Sequence, residues 1–86
     1  VALYSMHIEH EGGSFSMQLA DVSAKEAVRS FFLHPIAQSV LPVLTSEDIM
    51  YVVPMTGLVN IWAACAGKDG RYVSITVVRT VEDQGG

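Results

Sequence analysis

The chain has one cysteine in 86 residues, Cys65. A lone cysteine excludes an internal disulfide framework and fits a reducing cytoplasm. Basic charge is also scarce. Lys25, Arg29, Lys68, Arg71 and Arg79 stand against nine acidic residues, for a net charge of −4 and a pI near 5.1. Nucleic-acid binding needs a basic stripe that displaces counterions from phosphates, and five scattered cations do not make one. The same acidity disfavours anionic membranes. No apolar run approaches the ~20 residues that span a bilayer. No opening stretch has the basic-then-apolar form of a secretory signal, so a cytoplasmic protein is expected. There is no internal repeat and no low-complexity segment. Gly12-Gly13 and Gly67-Lys68-Asp69-Gly70 are not phosphate loops, because neither leads from a strand into a helix N-terminus.

Apolar residues, by contrast, are plentiful: 50% of the chain is hydrophobic and 16% charged. That excludes disorder and gives a single domain, residues 1–86, with residues 83–86 expected as a frayed tail. A chain of this size buries roughly two-thirds of its unfolded surface. So much apolar residue in so small a domain leaves some for a partner, most simply a second copy, with a dimer favoured.

Two hairpins and a helix are legible. Ala2, Tyr4, Met6 and Ile8 alternate with Leu3, Ser5, His7 and Glu9, the period of a strand with one buried face. Gly12-Gly13 suits a two-residue type I′ turn. Closing there sets Ile8 against Met17, Met6 against Leu19, His7 against Gln18 and Glu9 against Ser16, with apolar and polar pairs on opposite faces. Ser23-Ala24-Lys25-Glu26 has capping-box form, with Val22 placed to staple onto Ala27. Ala24, Ala27, Val28, Phe31 and Phe32 form one helical stripe, and His34 before Pro35 ends or kinks the helix. Pro35 suits the start of a second short helix, Ile36 to Leu41. Thr45 to Asp48 reads as a turn. Ile49 to Val53, between prolines 42 and 54, reads as an edge strand or extended segment.

Leu58 to Ala66 and Arg71 to Glu82 flank the Gly67–Gly70 turn. A three-residue loop with a bulge sets Val59, Ile61, Ala63 and Cys65 on the core face with Val73, Ile75 and Val77. Asn60, Trp62 and Ala64 then share the free face with Tyr72, Ser74, Thr76 and Val78. A two-residue loop would instead set Trp62 opposite Val77 on the apolar side. The first register is preferred because it keeps Asn60 out of the core. The expected fold is α+β: an antiparallel four-stranded sheet, five-stranded if the middle segment joins it, with the helix on one face. Ala24 and Ala27, with Ala63 opposite, permit close approach.

Each candidate site has an ordinary structural explanation. His7-Ile8-Glu9-His10-Glu11 is the densest group of metal-ligand types, but only His7 and Glu9 share a face and zinc takes three or four ligands. No metal and no cofactor are expected. His34 suits a helix C-terminus, and Cys65 reads as an inert core cysteine. Met50 and Met55, with the prolines at 42 and 54, could form a flap over a pocket or pack on the helix. Trp62 and Tyr72, rigid aromatics on an otherwise polar face, are the strongest contact candidates, with His7 and Asn60 beside them.

The strand leading into Glu11-Gly12-Gly13, the Ala24-Lys-Glu-Ala-Val28 helix and the closing Asn60-Ile-Trp62 and Gly70-Arg-Tyr-Val-Ser-Ile-Thr strands carry a resemblance. The pattern resembles small uncharacterised bacterial proteins of mobile elements and integron gene cassettes. These proteins have no established activity, so no site residue carries over. The leading expectation is a non-enzymatic interaction or small-ligand-binding module acting as a homo-oligomer. One alternative is a small enzyme with a pocket between helix and sheet, using His34 or His7 as acid–base. Another is an antitoxin-like regulatory partner.

Overall fold

A computed structural model describes residues 1–80 of the chain. Five strands form one antiparallel sheet: β1 (Ala2–His10), β2 (Gly13–Asp21), β3 (Ile49–Pro54), β4 (Ile61–Lys68) and β5 (Arg71–Thr80). The strand order is β2-β1-β5-β4-β3, so β1 and β5 are central and β2 and β3 are the edges. Between β2 and β3 run helix α1 (Ala24–Leu33), helix α2 (Pro35–Val40) and a 3₁₀ turn, Ser46–Asp48. The α+β class and the antiparallel sheet agree with expectation, and the middle segment supplies the fifth strand. The expected frayed tail at 83–86 lies outside the described residues.

The first hairpin closes one residue earlier than expected, on Glu11-Gly12, with His10 opposite Gly13. Only Gly13 takes a positive φ (138°), and the His10 Nδ1 accepts the Gly12 amide at 3.1 Å. The backbone therefore lacks the paired positive φ angles of a type I′ turn. Met6 now faces Met17, Ile8 faces Phe15, His7 faces Ser16 and Glu9 faces Ser14. The shift is two residues, so every side chain keeps its predicted face.

The second hairpin departs in a way that matters more. Its loop is Asp69-Gly70, both with positive φ (53° and 80°), the type I′ geometry that an Asp-Gly pair favours. Lys68 pairs with Arg71 and Trp62 with Val77, so Trp62 lies on the core face and Cys65 and Ala63 on the open one. The bulged register, and the faces it assigned to Trp62, Cys65 and Ala63, are corrected accordingly. Asn60 is kept out of the core by another route: it sits before β4 at φ 61°, and its carbonyl accepts the Arg79 amide at 2.8 Å.

The core lies between one sheet face and the helices. Tyr4, Met6 and Ile8 of β1, Val73, Ile75 and Val77 of β5, and Ala64 and Ala66 of β4 pack against the α1 stripe of Ala24, Ala27, Val28, Phe31 and Phe32. Alanines on both sides, 24 and 27 against 64 and 66, permit the close helix–sheet approach. Trp62 packs at the margin of this layer, edge-on to Tyr4 at 5.9 Å between centroids. Ser23 caps α1 by accepting the Glu26 amide at 3.1 Å. The staple is not formed, since Val22 is 71% exposed. The Asp21 carboxylate joins strand to helix instead, accepting the Val22 amide at 2.8 Å and the Ser30 hydroxyl at 2.7 Å. Thr45 and Asp48 complete a capping box over the 3₁₀ turn that feeds β3.

Candidate functional site

Both helices cover the same sheet face, so the other is open. Its composition changes across the strands. Over β2, β1 and β5 it carries Leu3 and Val78 but is mainly polar, with Ser16 and Gln18, Ser5, His7 and Glu9, Ser74 and Thr76. These groups bond to one another. Gln18 Nε2 donates to Ser5 Oγ, and Ser5 Oγ meets Thr80 Oγ1, each at 2.8 Å. His7 places Nδ1 3.0 Å from Ser16 Oγ and Nε2 3.5 Å from a Glu9 carboxylate oxygen. Over β3 and β4 the face turns apolar, with Tyr51, Val53, Ile61, Ala63 and Cys65.

The four residues singled out by sequence do not come together. Trp62 belongs to the core layer. Asn60 fixes the entry to β4. Tyr72 and His7 do lie on the open face, as expected, but toward different parts of it. Tyr72 lies across Gly67 on the neighbouring strand, where an added Cβ would collide with its ring. His34 caps α2, its Nδ1 accepting the Ile36 amide at 3.2 Å. The space between α1 and the sheet, where a histidine-lined pocket was the alternative, is filled by Phe31, Met6, Ile8 and Ile75. Among the described residues His7 and Glu9 have no third ligand near them, and no group of three or more metal-ligand side chains occurs.

What sequence reasoning missed is an edge. In an antiparallel ladder alternate residues bond to one neighbour, and the residues between them point their N–H and C=O the other way. A two-residue hairpin closes on a bonded pair, here His10 and Gly13, so Phe15, Met17 and Leu19 bond to β1. The main-chain groups of Ser14, Ser16, Gln18 and Ala20 then point outward along a free edge. From Gly13 to Ala20 this edge carries no charged residue and no proline, and its pairing to β1 runs without a bulge. Phe15, Met17 and Leu19 pack against the core and are only partly buried there. The opposite edge, β3, is six residues long, has a register shift between Ile49 and Tyr51, and ends at Pro54. The sequence signal was present as an uncharged strand, but only the strand order reveals which strand is left unpaired.

Comparison with known proteins adds nothing to this geometry: no family model, curated protein or solved structure matches the chain.

Proposed function

We propose that this protein is a non-enzymatic interaction module that acts as a homodimer, with two copies joining their β2 edges into one ten-stranded antiparallel sheet. The observation that carries this reading is the β2 edge itself: nine residues long, paired to β1 without a bulge, uncharged from Gly13 to Ala20, with four residues offering unpaired main-chain donors and acceptors. Edges of this kind are templates for another strand, and proteins that do not use them protect them.

A two-fold axis at Met17, the middle of β2, gives full overlap. Ser16 then faces the partner's Gln18, Ser14 faces the partner's Ala20, and Phe15 faces the partner's Leu19. Each of the four outward-pointing pairs exchanges two bonds, about eight in all, within the ten or so of a typical interface. The partly buried Phe15, Met17 and Leu19 gain cover on the helix side. Isologous pairing of this sort closes at two copies.

Sedimentation at about 100 μM tests the reading. A dimer is expected for the wild type and a monomer for Met17→Lys, which sets two ammonium groups face to face at the axis. Hydrogen exchange should show the Ser14, Ser16, Gln18 and Ala20 amides protected in the dimer. A wild-type monomer, or a dimer in which those four amides exchange freely, sinks the proposal. Small-ligand binding has separate support in a cleft at the turn end of the sheet.

A further inference from the structure

The rows of side chains that build the core end in polar residues at one end of the sheet. On β1 the inward row runs Tyr4, Met6, Ile8, His10; on β5 it runs Val77, Ile75, Val73, Arg71. The first three members of each row are buried, and the last is not. There the chain leaving α2 stands off from the sheet and leaves a cleft of about 230 Å³. Three separate stretches of chain line it: the first turn with His10 and Glu11, the start of β5 with Arg71, and the α2 exit with Val40, Leu41 and Val43.

The cleft brings opposite charges together, with Arg71 and Glu11 both in its lining. Among the described residues the one ion pair is His7 with Glu9, so Arg71 and Glu11 line the same cleft without neutralising each other or pairing elsewhere. His10 adds a donor. Its Nδ1 accepts the Gly12 amide, which leaves Nε2 as the ring's donor. A cation, an anion and a ring N–H donor thus stand beside an apolar wall. A monoanion would meet Glu11, and a monocation would meet Arg71. The complement is a small molecule that carries both charges and an apolar tail.

We infer that this cleft binds a small apolar α-amino acid, with its carboxylate on Arg71 and His10, its ammonium on Glu11, and its side chain against Val40, Leu41 and Val43. Guanidinium and carboxylate make the stronger, charge-assisted contact and fix the orientation. The site lies within one chain and does not depend on pairing through β2.

L-Leucine is the probe, titrated into ¹⁵N-labelled full-length protein. Saturable shifts of the Glu11, Gly12, Leu44 and Arg71 amides are expected, with a dissociation constant of about 0.1–1 mM for a ligand this small. Arg71→Ala and Glu11→Gln should each weaken binding by about tenfold or more, the loss of one charged contact. Both residues are exposed, and unchanged spectra elsewhere show that the variants fold. 4-Methylpentanoate and 3-methylbutylamine, which each keep one charge, should bind at least as weakly as leucine binds to the matching variant. Absence of saturable shifts at 10 mM leucine overturns the inference, as does equal binding by the singly charged analogues or by either variant.

Discussion

The two edges of the sheet make an instructive pair. Both β2 and β3 set one partly buried apolar row against the core, and both expose an unpaired side. β3 is defended three times over: it is short, it has a register shift, and Pro54 removes a donor at its end. Counting outward from the Tyr51–Cys65 and Val53–Ala63 pairs, the regular part of β3 offers a single outward N–H, at Val52. β2 has none of these devices and offers four. Edge protection is independent of strand propensity, and an edge that goes without it is the one to test for a partner.

The largest expected effect comes from giving β2 the defence that β3 already has. Ser16→Pro removes an outward-pointing donor without touching the ladder to β1, and should raise the dimer dissociation constant by about 100-fold or more. Tyr51→Lys on β3 should leave it unchanged. Sedimentation of the two variants side by side reads the contrast directly, and equal weakening by both would erase the distinction between the edges.

Next in size is Trp62, which faces Pro54 of β3 and packs edge-on to Tyr4. Truncation to alanine should cost about 2–3 kcal/mol in urea unfolding, somewhat below a fully buried tryptophan because Trp62 is only partly covered. A cost under about 0.5 kcal/mol, typical of an exposed position, would return Trp62 to the open face. A smaller effect is expected where β4 meets β5. Gly67→Ala drives a methyl into the Tyr72 ring and should cost about 1 kcal/mol, a loss largely recovered in the Tyr72→Ala background.

The smallest effect belongs to the carboxylate at the end of β2. The Ser30 hydroxyl, and after it the Val22 amide, hold Asp21 below its ordinary 3.8. A carboxyl whose folded pKa is depressed contributes its stability above the unfolded value. That contribution is lost as pH falls through the folded one. Stability measured from pH 6 down to 2 should therefore fall less steeply in Asp21→Asn than in the wild type. An unchanged acid limb would mean that the two bonds carry no net preference for the charged form.

Much of this architecture was legible from local rules. Alternation along β1, the Ser23 cap and the Ala-Val-Phe stripe specify their elements by short-range chemistry. The first register was read two residues off without consequence, because a shift of two preserves every face. The second hairpin was misread by one residue, and a shift of one exchanges the faces, which sent Trp62 and Cys65 to the wrong sides. The signal that decides it is Asp69-Gly70, a type I′ pair, and it competes with Asn60, a polar residue that the same register directs toward the core. Asn60 escapes by a positive φ, a freedom asparagine has and most residues lack. The β2 edge and the charged cleft could not be read locally, since both depend on which distant segments end up as neighbours.

The strand order also bears on how the molecule comes together in time. β1 and β2 can zip as a local hairpin, and β3, β4 and β5 as a meander. The seam between these halves joins β1 to β5, where Ser5 and Thr80 bond across 75 residues of sequence. Closing so long a loop costs chain entropy before any contact repays it, so the seam should form late and set the folding rate. Until it does, β1 has an exposed edge of its own, beside that of β2. A second chain's β5 is then a competitor for the same place, and slow folding at high concentration would favour an exchange of halves between molecules.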